Sequence, residues 1–234
     1  MSEAIQPGTL YVVSTPIGNL EDITLRAIKI LGGVDLIAAE DTRTTKVLLD
    51  HLAITKPLMS YYAHNEARRV PELVERLKQG ASVAVVTDAG TPGISDPSFL
   101  LVRAAVNADL RVVPVPGASA LLAALVVSGL PCDRFAFEGF LPVKKGRKTK
   151  LQTLKHESRT MIFYESPFRI ERTLRDMYEH WGDRRVAVAR ELTKKFEEMQ
   201  RGMLSEVLER LRASTPRGEY VIVIEGRKEK QHTR

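Results

Sequence analysis

At 234 residues the chain is long enough for one large domain or two small ones with a substantial core, and 44% hydrophobic against 27% charged residues excludes a disordered or fibrous polypeptide. A single cysteine, Cys132, excludes a disulfide framework and points to a reducing, cytoplasmic compartment, and no run reaches the roughly 18 apolar residues of a membrane span. The formal net charge of +6 leans weakly toward an anionic partner, so the distribution of charge matters more than its total. Met1-Ser2-Glu3-Ala4-Ile5-Gln6-Pro7 lacks a basic region followed by an apolar core, so no signal peptide is expected.

Strands and helices alternate from the start. Leu10-Tyr11-Val12-Val13 is the first strand, and the turn-rich Ser14-Thr15-Pro16-Ile17-Gly18-Asn19 follows it. Asp22 then caps a helix that runs to Leu31. Asp35-Leu36-Ile37-Ala38-Ala39 is the second strand and ends in Glu40-Asp41-Thr42-Arg43. A helix to His51 and a strand Leu58-Met59-Ser60-Tyr61-Tyr62 come next. Asn65 stands where it can cap a helix whose Val70, Leu73, Val74 and Leu77 repeat at i, i+3, i+4, i+7.

The most telling stretch is Asp88-Ala89-Gly90-Thr91-Pro92-Gly93-Ile94-Ser95-Asp96-Pro97. It follows the β-branched run Val83-Ala84-Val85-Val86-Thr87, which reads as a buried parallel strand. Two glycines and two prolines force an irregular turn, and Asp96-Pro97 reads as a helix start with Asp as N-cap and Pro at the first helical position. This loop crosses the carboxyl end of a strand, where open α/β sheets bind ligands. Gly90 and Gly93 carry no side chain to keep a small molecule from the backbone. A helix over 99–106 and a strand Arg111-Val112-Val113 follow.

Val113-Pro114-Val115-Pro116-Gly117 suits neither a helix interior nor a central strand, and reads as the hinge between domains 1–116 and 117–234. Beyond it come a helix over 118–128 and strands at Phe135-Ala136-Phe137 and Thr160-Met161-Ile162-Phe163-Tyr164. A helix from Pro167 puts Ile170, Leu174, Met177 and Tyr178 on one face. Strands at 186–189, 197–200 and 220–224, with a helix over 204–211, complete a second α/β layer set.

Familiar catalytic signatures are absent from the sequence. There is no G-x-G-x-x-G after the first strand, no Walker loop and no nucleophile elbow. The five histidines form no pair at metal-ligand spacing, so no metal site is expected. What remains is a series of polar clusters after strands: Asn19, Glu40–Arg43 as above, His64-Asn65-Glu66, the loop from Asp88, Ser119, Tyr164-Glu165-Ser166 and Arg190-Glu191-Leu192-Thr193-Lys194. Asp41, Asn65 and Ser166 can also be plain helix caps, and Arg43 and Lys194 plain surface charges. Their number favours a shared cleft.

These clusters fall within motifs by which the sequence resembles the bacterial ribosomal RNA small-subunit methyltransferase I group, within the tetrapyrrole methylase superfamily. The motifs are Thr15-Pro16-Ile17-Gly18-Asn19-Leu20, Ala39-Glu40-Asp41-Thr42-Arg43, His64-Asn65-Glu66 and Asp88-Ala89-Gly90-Thr91-Pro92. In the second half they are Pro116-Gly117-Ala118-Ser119-Ala120, Glu138-Gly139-Phe140-Leu141-Pro142, Phe163-Tyr164-Glu165-Ser166-Pro167 and Arg190-Glu191-Leu192-Thr193-Lys194. The resemblance runs from about Thr9 to Gly226.

The resemblance implies two α/β domains of the tetrapyrrole methylase-like (class III methyltransferase) kind, with S-adenosylmethionine (SAM) in the cleft between them, and a homodimer. The implied reaction methylates the ribose 2′-hydroxyl of a cytidine in the decoding region of small-subunit ribosomal RNA. Carried over by position, Ile17, Asp88, Ala89, Gly90, Thr91, Pro92, Ile94, Ser119, Ala120 and Tyr164 resemble cofactor-contacting segments. Methyl transfer from a sulfonium is a direct displacement, and the hydroxyl must lose a proton to a base. Glu40, Asp41, His64 and Glu66 are the candidates. Asn19, Arg43, Asn65, Arg190 and Lys194 are candidates for holding the RNA, its phosphates above all for Arg43 and Lys194.

Lys144-Lys145-Gly146-Arg147-Lys148-Thr149-Lys150 packs five positive charges into seven residues. Lys144, Lys145, Arg147 and Lys148 are expected to contact the RNA backbone, with salt-dependent and sequence-independent affinity. Aromatic residues are only 6%, so extensive base stacking is not indicated, and specificity falls to RNA shape or the assembled subunit. Many members of the group carry a helical segment beyond the strand at 220–224, where this sequence ends in Arg227-Lys228-Glu229-Lys230-Gln231-His232-Thr233-Arg234. Two other readings stay open: a tetrapyrrole small-molecule methylase, and a noncatalytic SAM- or RNA-binding module.

Overall fold

A computed structural model describes residues 5–213 and 215–227. The expectations placed on residues 1–4 and on the terminal run 228–234 lie outside the described residues. The chain divides into two compact units, Met1–Ser119 and Ala120–Arg234, against an expected break after residue 116.

The first unit is a five-stranded, wholly parallel sheet. In chain order its elements are β1 (Thr9–Val13), a single 3-10 turn (Leu20–Asp22), α1 (Leu25–Gly33), β2 (Leu36–Ala39), α2 (Thr42–His51) and β3 (Leu58–Ser60). These are followed by α3 (Glu66–Lys78), β4 (Val83–Val86), α4 (Phe99–Asn107) and β5 (Arg111–Val115). The strands lie in the order β3-β2-β4-β1-β5. Successive side chains on a strand point to opposite faces. Tyr11, Val13, Ile37, Ala39, Ala84 and Val86 accordingly form one core with Ala27, Ile30 and Leu31 of α1. Leu10, Leu36, Ala38, Val83 and Val85 form the other with Leu73 and Leu77 of α3 and Leu101 and Ala105 of α4. Strands buried on both faces need apolar residues at nearly every position, and that is why they read as continuous runs.

Several boundaries differ from expectation. Asp22 does not cap α1: it closes the preceding 3-10 turn, and the Thr24 hydroxyl accepts from Ala27 N at 3.1 Å instead. Asp96-Pro97 does not start α4, which begins at Phe99 after Ser98. The strand expected through Tyr62 ends at Ser60, where the chain turns into α3. Pro114 lies inside β5 rather than in a hinge, opposite Val12 of β1. β5 is the sheet's edge and pairs with β1 alone, so the missing proline N–H costs no ladder bond on a second side.

The second unit holds α5 (Ala120–Val127), β6 (Phe135–Phe140), α6 (Arg147–Leu154), β7 (Thr160–Glu165), α7 (Ile170–Trp181), β8 (Arg185–Arg190), β9 (Glu198–Met203), α8 (Leu204–Arg212) and β10 (Tyr220–Ile224). Its sheet runs β6-β7-β10-β8-β9, with β6 and β7 parallel and the remaining pairs antiparallel. One face carries Met161, Phe163, Val186, Val188, Ile222 and Ile224 against α6, α7 and α8, while α5 lies against β7 and β10. Helix α6 was not expected, because its first turn falls inside the basic run. On α7, Tyr178 is exposed, and Thr173 and Trp181 take buried places beside Ile170, Leu174 and Met177.

Among the described residues no helix is long and apolar enough to cross a membrane.

Candidate active site

In the first unit the polar residues gather at the carboxyl ends of β1, β2, β4 and β5. The loop after β4 is tied to the residue pair after β1. Thr15 N donates to Gly90 O at 2.9 Å, and Gly90 N donates back to Thr15 O at 3.1 Å. The Thr15 hydroxyl donates to Thr87 O, and the Ser14 and Thr91 hydroxyls meet at 2.9 Å. Thr91 also donates to Ala118 O at 3.2 Å. Gly90 has φ +90°, and a Cβ there would lie 3.4 Å from Ile17 Cγ2 and 3.8 Å from Ala118 O. Ile17, Gly90, Thr91 and Ala118 therefore converge, with Ser119 next in the chain. Gly93 and Ser95 also have positive φ, the latter at 70° without a glycine's freedom. Ser14 and Thr15 were missed as site residues, although the loop hangs on them.

A cluster of carboxylates surrounds the end of β4. Glu40 accepts from the buried Thr87 hydroxyl and from Asp88 N, and Asp88 accepts from Asp41 N. Asp41 is the N-cap of α2 and clamps the Arg43 guanidinium through Nε and Nη2. Hydrogen bonds from that side chain, then from Arg43 N, hold the Asp41 carboxyl down at about 2. Burial, then the charge of Glu40, pushes the Asp88 carboxyl up from its ordinary value. Asp96, expected only as a helix cap, instead turns its carboxyl toward Thr87; burial raises it to about 6, against the lowering effect of the Thr87 hydrogen bond. No sequence pattern separated that role from capping.

The His64-Asn65-Glu66 motif is largely spent on its own turn. Asn65 is buried, accepts from Tyr62 N at 2.9 Å and donates to Ser60 O, and it makes no side-chain cap to α3. Glu66 accepts the Tyr61 hydroxyl proton at 2.8 Å. His64 alone projects, its ring edge-on to Tyr62. Asn19 caps the 3-10 turn through Glu21 N.

In the second unit, Tyr164 stands on β7 with Phe137 and Phe140 edge-on to its ring at 5.0 and 5.8 Å. Ala120 opens α5. Arg190 pairs with Glu198 at 3.1 Å, and Lys194 bridges Glu191 and Glu219 at 2.9 and 2.8 Å. Burial works against the Lys194 charge, but those hydrogen bonds outweigh it and raise its pKa. Glu191 and Thr193 take left-handed backbone at φ 50° and 64°, so this short turn is strained.

Arg147 overturns one expectation. It is only 5% exposed and lies inside the unit, bound to Asp176 at 2.7 Å and to Thr173 Oγ1 at 2.8 Å. Thr173 in turn donates to the buried Glu165 carboxylate at 2.6 Å, which Arg169 also pairs. Arg147 opens α6 with its side chain directed inward, so it is part of a polar core and not a surface cation. Lys150 pairs with Glu138. Among the described residues no carboxylate pairs with Lys144, Lys145 or Lys148, and these three are exposed.

Comparison with known proteins identifies this arrangement. The family model for tetrapyrrole (corrin/porphyrin) methylases matches residues 9–208. The chain belongs to that family.

Two curated relatives are named ribosomal RNA small subunit methyltransferase I. The protein of a Synechocystis species is 52% identical over 94% of this chain and 79% of its own, and that of Thermotoga maritima is 50% identical over 94% and 99%. Among solved structures, uroporphyrin-III C-methyl transferase from Thermus thermophilus, complexed with S-adenyl homocysteine, superposes with a TM-score of 0.63 at 18% identity. That match covers 92% of this methylase and 96% of the other chain, and shares the fold.

Proposed function

We propose that this methylase is a SAM-dependent ribosomal RNA methyltransferase that modifies the 2′-hydroxyl of a cytidine ribose in the decoding region of small-subunit ribosomal RNA. The observation that carries the reading is about half identity, over nearly the whole chain, to proteins named for small-subunit ribosomal RNA methylation. The structural neighbour that is a uroporphyrin-III C-methyl transferase stands at 18% identity. The same reading takes the protein as a cytoplasmic homodimer acting on the RNA or on the assembled small subunit.

The residues fit the cofactor. The loop from Asp88 to Ile94 offers backbone groups beside two glycines, with Ile17 as an apolar wall and the carboxylates of Asp88 and Glu40 for polar contacts. Ala89, Pro92 and Ser119 complete the candidate set within the first unit. When bound, SAM supplies an electrophilic methyl group. The chain's own task is to hold the 2′-oxygen in line with it, which is worth up to roughly 7–11 kcal/mol, and to accept the hydroxyl proton. Asp41, held near 2 by Arg43, is a weak base and serves to place that guanidinium. Glu66 already accepts from Tyr61. Glu40 likewise accepts from Thr87 and from Asp88 N, which leaves the projecting His64 as the candidate to take the proton, while Arg43, Lys144, Lys145 and Lys148 contact phosphate.

The test is methyl transfer from labelled SAM to small subunits lacking the mark, with naked ribosomal RNA alongside. Label on one cytidine ribose of the particle supports the reading. SAM binding without any turnover on RNA overturns it.

A further inference from the structure

The second unit carries a basic cavity that the methyl-transfer residues do not use. It holds about 610 Å³ and lies at the end of the sheet where β8 begins and β10 ends. Arg190, on the same strand as Arg185, is about 16 Å away along β8 at the usual strand rise. Lys155, Arg184, Arg185 and Arg227 line the cavity, with His156 beside them and Asp183 and Glu225 as the acidic groups. Asp183 is already engaged by Ser205, through N at 3.0 Å and Oγ at 2.7 Å. A smaller cavity of about 310 Å³ shares Glu225, Gly226 and Arg227 and adds Asp133, Arg134 and Arg159, the last already paired with Glu157 at 2.7 Å.

The site is built rather than incidental. A Cβ on Gly226 would fall inside the backbone of Ser158 and Arg159, so only glycine lets the chain leave β10 along this path. Arg227 N then donates to Glu157 O, and the Arg227 guanidinium lies 2.9 Å from His156 Nδ1. Arg184 donates to the carbonyls of Lys155 and Glu225 and stacks on the Trp181 ring at 5.5 Å. No carboxylate among the described residues forms an ion pair with it. Burial, then the positive charge of Arg227, destabilises its charged form, while Glu225 opposes that. Two guanidinium groups held together in this way are relieved by an anion between them, and a phosphate accepts from both.

We infer that this cavity is a second phosphate-binding site, which takes the ribose-phosphate backbone of the RNA substrate away from the Tyr164–Arg190 end of the sheet. The inference rests on the proposed RNA substrate. The roughly 16 Å along β8 spans several nucleotide steps of an A-form RNA backbone. The site would thus read the position of a helix flanking the target rather than its sequence.

The experiment compares wild type with the double variant Arg185→Gln/Arg227→Gln. Arg184 is left intact because its hydrogen bonds serve packing. Binding to unmethylated small subunits is titrated between about 50 and 200 mM salt, with SAM affinity and thermal melting measured in parallel. The expected result is on the order of tenfold weaker RNA binding at low salt and a salt slope shallower by about 1–2, with SAM affinity and melting unchanged. Wild-type-like affinity and slope in the variant, with wild type binding normally, overturns the site alone. Wild type that neither binds nor methylates the subunit overturns the functional reading and this site with it.

Discussion

Asp96 shows how a single residue's environment turns into a measurable pH dependence. An ordinary aspartate in this chain starts from 3.8, and burial raises Asp96 to about 6. Between about pH 4 and 6 the unfolded chain has lost this proton while the folded chain keeps it. Stability contributed by the group therefore falls as pH rises through that window and is level above it. The full linkage energy is about 3 kcal/mol, but the side chain is partly exposed, and solvent screening reduces it to about 1 kcal/mol. Asp96→Asn should stabilise the protein by about 1 kcal/mol at pH 7.5 and by close to nothing at pH 4, read from urea denaturation at both. An equal gain at both pH values would mean that ionisation is not the cause.

At the scale of elements, the close passage of the segment after β5 past the end of β1 shapes the candidate cofactor site. A Cβ on Gly117 would lie 2.9 Å from Ser14 Cβ. Ser14 also meets Thr91, whose hydroxyl reaches Ala118 O. Gly117→Ala should therefore push residues 117–118 away from Ser14 and loosen the loop after β4. Overpacking of this kind costs about 1–3 kcal/mol, and SAM affinity should fall by on the order of tenfold, equivalent to about 1.4 kcal/mol. Calorimetric titration checks it, and wild-type affinity in a folded variant would remove segment 117–118 from the site. The elements themselves were legible where burial dictates sequence. Val83–Val86 and Tyr220–Ile224 are buried along their whole length, and no other residue types serve there. Caps and edges were harder. Thr24 wins the α1 cap because Asp22 is already taken into the preceding 3-10 turn, and Pro114 sits in a strand because β5 is the sheet's edge, which local pattern does not contain. The site was legible as a set of strand-end motifs, while the partnerships within it were not. Nothing in the sequence distinguishes Asn65 holding Ser60 and Tyr62 from Asn65 facing a ligand.

For the whole molecule, a net charge of +6 has consequences only through the cations that are not spent internally. The run from Lys144 to Lys150 shows the distinction within seven residues. Arg147 is buried against Asp176 and Thr173, and Lys150 is paired with Glu138, so Lys144, Lys145 and Lys148 are left to face an anion. Removing one member of a buried ion pair strands the other, at about 3–5 kcal/mol. Arg147→Ala should accordingly lower stability by about 3 kcal/mol, because among the described residues Asp176 then keeps only Arg172 at 3.8 Å and the Thr173–Glu165 link loses its outer support. The triple variant Lys144→Gln/Lys145→Gln/Lys148→Gln should leave stability within about 0.5 kcal/mol. It should also make the salt slope of RNA binding shallower by about 2–3, since each lost phosphate contact removes about 0.9 from it. Denaturant unfolding and a salt titration on both proteins separate the two roles. Were the triple variant to unfold and Arg147→Ala to lose only RNA affinity, the roles of core and surface cations would be reversed. The net charge is the same for a cation in either place, so composition alone could not have made that division.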